Sequence, residues 1–342
     1  MPSIDRTSVK LNRATDKRRI IMQVQEILLK DLNCKKYIEQ KIKEIADTVG
    51  SGRAINALSG GVDSSVVTML GHRALGDRLE TCFIDSGLMR AGEPQYVVAL
   101  FRKMGVKVKL VDAQDTFFKR LKGQTDPEKK REAITQSFYK DVFGAMVKKS
   151  GAAFLLHGTN FTDIEETVAG IKRQHNILVQ LGIDTKKRFG YTVLEPILQI
   201  RKTGVRLVAK ALGLPKEIYQ RPPFPGPALA ARVIGEVTRQ RVATVRQATA
   251  IVEHELRDIK AFQYLAILHE DRVTGIRNGK RDFGLQIELR CFNSTDAVVA
   301  TPTRLPYDLL VKLADRITDQ VPGVVSVTYN ITRKPPTTIE AV

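Results

Sequence analysis

Short apolar runs and stretches of helical spacing take turns along the first two-thirds of the chain. Ala54-Ile55-Asn56-Ala57-Leu58 precedes the helix-like Val66-Val67-Thr68-Met69-Leu70, and Thr81-Cys82-Phe83-Ile84-Asp85 precedes helical spacing over residues 94–104. A further strand-like run covers 106–111. Asp126-Pro127-Glu128 opens a helix, with an acid at the cap and proline at the first helical position, which the pattern carries to about residue 149. A strand over 152–156 follows and runs straight into His157-Gly158-Thr159. Such alternation predicts an α/β fold, a parallel sheet with helices on both faces whose ligands bind at the carboxyl ends of the strands.

Between residues 161 and 188 the apolar periodicity fades and charge rises, the pattern of a flap that moves over a site. Residues 202–212 read as a helix stopped by Gly213 and Pro215. Arg221-Pro222-Pro223-Phe224-Pro225-Gly226-Pro227 is too rich in proline and glycine for a helix or an inner strand, and marks a domain boundary. Beyond it come a helix over 237–256, strand-like runs at 264–268 and 285–291, a helix over 309–321 and a third strand over 324–331. That module is α+β, and its sheet needs a face or edge covered, which predicts a homodimer formed through it. The expected organisation is a basic arm over 1–35, an α/β domain over 36–222 and an α+β domain over 223–342.

Composition narrows the partners. The length of 342 residues suits two domains, each large enough for its own core. A net charge of +18 predicts attraction to nucleotides, phosphate-rich substrates or nucleic acid, and does not separate them. Its densest cluster, Arg6, Lys10, Arg13, Lys17, Arg18 and Arg19, reads as a solvated basic arm or a nucleic-acid contact. The three cysteines form no C-x-x-C pair, which argues against zinc and disulfides and for a reducing compartment. Neither a leader-like opening nor an apolar run of membrane-span length stands out, so the expectation is a soluble cytoplasmic protein with no membrane partner.

The densest chemistry lies in Ser59-Gly60-Gly61-Val62-Asp63-Ser64-Ser65, between a strand and a helix. Adjacent glycines let backbone N–H groups approach an anion, at a helix N-terminus whose dipole favours negative charge. Ser59, Ser64 and Ser65 add hydroxyl donors, and Asp63 can hold the Mg²⁺ that accompanies a polyphosphate. No GK[ST] lysine follows, so the loop is poorly matched to γ-phosphoryl transfer. The plainer alternative is a serine-rich turn that only joins the two elements.

SGGxDS is the signature of the ATP pyrophosphatase group, which cleaves ATP between its α- and β-phosphates and leaves AMP on a substrate oxygen. Further segments match one family in order. Phe83-Ile84-Asp85-Ser86-Gly87-Leu88-Met89-Arg90, Gly158-Thr159 with Asp163 and Glu166, Ile171-Lys172 with His175-Asn176, and Phe224-Pro225-Gly226-Pro227 with Arg232 and Gly235-Glu236 resemble the ATP-pyrophosphatase part of GMP synthase. The closing Lys334-Pro335-Pro336-Thr337-Thr338-Ile339-Glu340 resembles that family's C-terminal substrate loop. The likeness covers roughly residues 40–342. It implies a parallel sheet of the adenine nucleotide alpha hydrolase-like, N-type ATP pyrophosphatase kind, followed by a smaller α+β dimerisation domain.

The reaction it implies is attack of XMP O2 on the α-phosphate of Mg-ATP, loss of pyrophosphate, and displacement of AMP by ammonia to give GMP. Ser59, Gly60, Gly61, Val62, Asp63, Ser64, Ser65, Asp85 and Gly158 would then bind ATP and pyrophosphate, with Asp63 also on the metal. Asp163, Glu166, Lys172 and His175 would be catalytic, and Arg90, Arg232, Gln263, Lys334, Thr338, Ile339 and Glu340 would hold the purine nucleotide. Each has a plainer alternative: Asp85 as a strand-end turn cap, Asp163 and Glu166 as a solvated acid pair, His175 as a surface histidine.

The resemblance carries departures. Gln174 stands for the first of two adjacent histidines, Arg277-Asn278-Gly279-Lys280-Arg281 for an Asp-Gly-Arg segment, and Ser326 for an arginine that meets the XMP phosphate. Ala228-Leu229 replaces Gly-Leu, and Thr203-Gly204 replaces an acidic pair. The ATP side is kept while the XMP side is altered. Two other readings therefore stand beside GMP synthesis: a paralogue that adenylates another nucleotide or a tRNA base, and a non-catalytic nucleotide- or RNA-binding relative. No cysteine sits in a strand-turn-helix elbow, Cys34 lying in the helix-like stretch 28–46, so ammonia would come from solution or from a separate glutamine amidotransferase subunit.

Overall fold

The computed structural model describes residues 24–168, 190–277, 279–295 and 297–341. They divide into two compact units. The first holds the described residues up to Cys82, with Phe101–Lys109 and Val147–Arg221. The second holds Phe83–Leu100, Leu110–Met146 and the described residues from Pro222 onward.

Five short strands build one sheet: β1 (Ala54–Ala57), β2 (Leu79–Asp85), β3 (Val108–Asp112), β4 (Phe154–Leu156) and β5 (Thr192–Leu194), in the order β3-β2-β1-β4-β5. Ala54 pairs in parallel with Leu79 on one side and Phe154 on the other, and Phe154 pairs with Thr192. β1 is central, and Ala54 and Ile55 are fully buried, as a parallel strand covered on both faces requires. From β1 the chain winds outward to β2 and β3, then crosses back to β4. That reversal opens a crevice at the carboxyl ends of β1 and β4, where sheets of this kind bind ligands.

The helix Val62–Leu75 lies close on the sheet because Gly71 has no side chain: a Cβ there would stand 2.6 Å from Leu156 and 2.9 Å from Leu79. The first long helix begins at Cys34, not at residue 28, since Asn33 caps it by accepting from the Lys36 N–H at 3.1 Å. The helix opened by Pro127 does run to Ser150, but through a wide turn over Ser137–Phe143. There the Gly144 N–H donates to Tyr139 O, and a Cβ at Gly144 would sit 2.7 Å from that oxygen. The segment read as a flap begins instead with a regular helix, Phe161–Val168. Residues 169–189, with Lys172, Gln174 and His175, lie outside the described residues, as does the basic cluster at 6–19.

In the second unit, β6 (Gln263–Arg277) and β7 (Lys280–Asn293) form an antiparallel hairpin, β8 (Thr301–Pro302) pairs with one end of β7, and β9 (Val324–Tyr329) lies parallel to β7. Helices Arg239–Glu255 and Tyr307–Gln320 pack on this sheet. Three strands were expected and four are present. β6 and β7 also run far past the apolar runs that signal them, because Arg272 to Arg277 pair with Lys280 to Leu285 along a largely exposed ladder that carries no apolar alternation.

Candidate functional site

Past β1 the chain turns through Ser59-Gly60-Gly61 into the helix Val62–Leu75. Gly60 takes φ +78°, a left-handed conformation open to glycine. Gly61 is the N-cap and brings no side chain of its own, so first-turn N–H groups are left to an incoming anion. The loop is braced by its serines: Ser59 Oγ and Ser64 Oγ lie 2.9 Å apart, and Ser64 Oγ donates to Gly61 O at 3.1 Å. A buried relay holds it from beneath. Thr81 donates to Asn56 Oδ1 at 2.8 Å, Asn56 Nδ2 to Thr68 Oγ1 at 2.7 Å, and Thr68 Oγ1 to Ser64 O at 2.7 Å.

Across the crevice β4 delivers His157-Gly158-Thr159. A Cβ at Gly158 would stand 3.4 Å from Asp63 and from Ser64 N, so glycine lets the two strand-end loops close on each other. Burial lowers the pKa of His157 to about 4, leaving it neutral at physiological pH, with Nδ1 2.9 Å from Thr159 Oγ1. Asp163 lies in the first turn of the helix Phe161–Val168 and accepts the Asn160 N–H at 3.1 Å; Glu166 follows three residues on.

Asp63 uses its two oxygens differently. Oδ2 is ion-paired with Lys202, the first residue of the helix Lys202–Ala211. Oδ1 is buried with no partner among the described residues, which suits a carboxylate that ligates a cation shared with phosphate oxygens. No cluster of three or more His, Cys, Asp or Glu ligands occurs among the described residues, so Asp63 would serve such a cation with phosphate and water. Lys202 places a cation on the phosphate loop from 139 residues downstream, and the sequence reading missed it. Its cue was a lysine at a helix start, where the dipole disfavours positive charge.

Asp85 ends β2 as a turn cap: Oδ1 accepts the Gly87 N–H at 2.8 Å and Oδ2 accepts Gln114 Nε2 at 3.1 Å. The second unit also gathers four residues expected on the purine nucleotide. Glu340 accepts from Gln263 Nε2 at 2.6 Å and from Arg232 Nε at 3.3 Å. Arg232 is fully buried, and its Nη1 has no hydrogen-bond partner among the described residues. Phe224 lies near both expected arginines, with the Arg90 guanidinium 3.8 Å and the Arg232 guanidinium 5.0 Å from its ring centre. Arg90 Nε also donates to Glu253 at 2.5 Å.

The C-terminal segment is stitched down from two sides. Lys334 and Ala300 exchange backbone hydrogen bonds, Lys334 Nζ donates to Ala297 O at 2.7 Å, and Arg290 Nη1 donates to Thr338 O at 2.8 Å and Ile339 O at 3.2 Å. Ile339 packs into a core of Leu265, Ile267, Phe292 and Ala300, so its side chain anchors the segment. Arg290 is aimed by Glu288, whose carboxylate also takes His269 Nε2 at 2.7 Å and Asn330 Nδ2 at 2.7 Å. Neither Glu288 nor Arg290 was singled out from sequence, because alternation along β7 carries no mark of function.

Comparison with known proteins brings the two units under one heading. The family model described as NAD synthase matches residues 34–227, and that described as GMP synthase C terminal domain matches residues 249–341. One subunit of the glutamine-hydrolyzing GMP synthase of Archaeoglobus fulgidus is 46% identical over 309 residues, covering 90% of this chain and 99% of that protein. The same subunit from Methanocella arvoryzae is 47% identical over 305 residues, covering 89% and 97%. That of Methanocaldococcus jannaschii is 43% identical over 311 residues, covering 90% and 98%. The first family model alone would leave the chain beside NAD synthases; the C-terminal match and the full-length relatives decide. The chain belongs to the family of that GMP synthase subunit. Its fold is accordingly the N-type ATP-pyrophosphatase α/β domain followed by a smaller β-rich domain, and the chain is a GMP synthase-like ligase. Among the departures from the GMP synthase pattern, Ser326 on β9 accepts from Gln286 Nε2 at 3.2 Å, and Ala228 takes φ +53°, a left-handed conformation that suits the glycine it replaces. No helix among the described residues is long and apolar enough to cross a membrane.

Proposed function

We propose that this chain is the synthetase subunit of a two-subunit GMP synthase, adenylating XMP with ATP while a separate glutamine amidotransferase subunit supplies ammonia. The observation that carries it is the loop Ser59–Ser65 at the β1–β4 crevice, faced by Lys202 and Gly158, in a chain whose relatives are GMP synthase subunits matched over nearly their full length. XMP O2 attacks the α-phosphorus of ATP, the bond to the bridging oxygen of the β-phosphate breaks, and pyrophosphate leaves with its electron pair. Ammonia then adds at C2 of the purine and gives up a proton to solvent, and AMP departs with the electron pair as the C–O bond breaks. Loop amides and the Ser59, Ser64 and Ser65 hydroxyls stabilise the charge growing on pyrophosphate, and Lys202 moves from Asp63 toward the same oxygens. Asp63 would hold the Mg²⁺ that accompanies ATP, which would supply further charge neutralisation there.

Asp163 and Glu166, with Lys172 and His175, are the candidates for orienting and protonating groups around the acceptor. Asp85 and Gly158 are assigned to the adenosine and phosphate side. Arg90, Arg232, Gln263, Lys334, Thr338 and Glu340 hold XMP, and Ile339 sets their segment in place. The functional division follows residues 36–222 for the ATP half and 223–342 for the acceptor half, with Arg90 and the candidate groups around the acceptor contributed by the first stretch. We assign the protein to the cytoplasm as a homodimer joined through the second unit, where Ile276 and Phe283 are exposed apolar side chains on the hairpin; sedimentation at micromolar concentration reads the mass.

The test is pyrophosphate release from Mg-ATP in the presence of XMP and ammonium. It should depend on both, give AMP and GMP, and fall at least about a hundredfold in Asp63→Ala and Lys202→Gln. Release of orthophosphate and ADP, or turnover with RNA in place of XMP, would overturn the assignment. The altered acceptor side favours no rival by a specific contact. Ser326→Arg should lower the KM for XMP, since a charge-assisted phosphate contact is worth ~1.5–3 kcal/mol.

A further inference from the structure

The described chain ahead of the first long helix does not hang free. Its backbone runs along the segment that ends in Lys202: the Ile27 N–H donates to Gln199 O at 2.8 Å, and Gln199 Nε2 donates to Gln25 O at 3.4 Å. Gln199 is held on its other side-chain atom, Oε1, by Lys41 Nζ at 2.9 Å. Glu26 then meets Arg201, the residue immediately before Lys202. Arg201 Nε donates to Glu26 Oε1 at 2.6 Å and Nη2 to Glu26 Oε2 at 3.3 Å. The adjacent edge of the same guanidinium, sharing Nη2, grips Glu165, with Nη2 donating to Oε1 at 2.7 Å and Nη1 to Oε2. One planar fork therefore spans two carboxylates and is loaded on both edges, the geometry in which arginine fixes orientation as well as charge.

What lies on either side of that fork gives it a role. Glu165 sits between Asp163 and Glu166 on the helix Phe161–Val168, and Lys202 begins the helix whose ammonium reaches Asp63 of the phosphate loop. The two helix starts are already in register: the Phe161 N–H donates to Ile200 O at 3.0 Å, and the Lys202 N–H to Thr162 Oγ1 at 3.4 Å. Arg201 adds a charged side-chain link across that junction, and its side chain is 43% exposed, so a single carboxylate partner would leave one edge of the fork to solvent. Glu26 comes from ahead of both matched family models, the first of which begins at residue 34, and a tenth of this chain lies outside the match to relatives that are themselves covered almost completely.

We infer that the segment around Glu26 is a strap, in which Glu26 is a positioning residue that, through Arg201, holds Lys202 and the Asp163 helix in place for the triphosphate. The inference rests on the adenylating reading of the phosphate loop and adds to it a residue that never touches substrate. Because the strap's hydrogen bonds among the described residues run to the ATP half, it acts on ATP and leaves the acceptor alone.

The experiment uses the full chain and three variants, Glu26→Gln, Arg201→Gln and the double variant. The Kd for Mg-ATP is measured without acceptor, the Kd for XMP separately, and turnover with XMP and ammonium. Glu26→Gln should weaken Mg-ATP binding about three- to tenfold while the Kd for XMP stays put, a split that general loosening of the fold would not produce. Glu26→Asp should recover part of the loss. The double variant should bind Mg-ATP no worse than Arg201→Gln alone, since Glu26 acts through that arginine. An unchanged Mg-ATP Kd in Glu26→Gln, equal losses for ATP and XMP, or additive losses in the double variant would each overturn the inference. The ATP binding arm needs no acceptor, so it stands or falls separately from GMP formation: a wild-type chain that binds Mg-ATP but makes no GMP would count against the proposed function and leave this test intact.

Discussion

At residue scale, Ala228 shows what substitution at a special backbone position entails. It is buried, its N–H donates to Pro225 O at 2.9 Å, and its φ of +53° is one that an L side chain adopts at a cost. Ala228→Gly should raise stability by ~0.5–1 kcal/mol, the relief of that strain outweighing glycine's greater unfolded-state entropy. Denaturant midpoints read it directly, and a loss of stability would show that buried methyl contacts dominate. The phosphate loop was legible from sequence because glycines, acid and hydroxyls sit together in seven residues. Lys202 was not, because its role depends on a fold that brings a distant helix start onto Asp63. Asp85 was read as an adenosine contact with a turn cap as the alternative; its carboxylate does cap the turn through Gly87.

Elements carry the next lesson. Strands buried on both faces announce themselves as apolar runs, so β1, β2 and β4 could be read directly, whereas the outer lengths of β6 and β7 could not. The helix Val62–Leu75 depends on closeness at Gly71, and Gly71→Ala should cost ~1–3 kcal/mol by forcing Leu79 and Leu156 aside; a neutral midpoint would mean those leucines repack freely. β7 holds the C-terminal segment through Glu288 and Arg290. Burial pushes the Glu288 carboxyl up, but hydrogen bonds from His269, Arg290 and Asn330 outweigh it and hold the pKa at about 2. Its folded pKa lies below the ordinary 4.5, so the unfolded chain binds the extra proton between those values. The stability it contributes is present above about pH 4.5 and is lost as pH falls toward 2, of order 3 kcal/mol in all. Glu288→Gln should flatten that part of the acid-denaturation curve and raise the KM for XMP more than that for ATP.

For the whole molecule, charge is the dominant attribute. A net +18 draws a polyanionic substrate toward the chain, and the resulting attraction is screened by salt. The kcat/KM for ATP should fall about tenfold between ~0.05 and ~0.5 M monovalent salt, with kcat changing much less. A flat profile would assign binding to short contacts alone. The overall plan, an α/β half followed by an α+β half, was legible because element order fixes layer architecture. Which residues meet inside each half was legible only where a motif marked them.

β1 sits between β2 and β4, and its partner Phe154 lies about a hundred positions downstream of Ala54. During synthesis the turn after β1 leaves the ribosome early, but the wall opposite it arrives only once that intervening stretch has emerged and docked. Nascent chains shorter than this should have no grip on nucleotide, and added ATP should slow unfolding of the finished protein while doing nothing for its precursors.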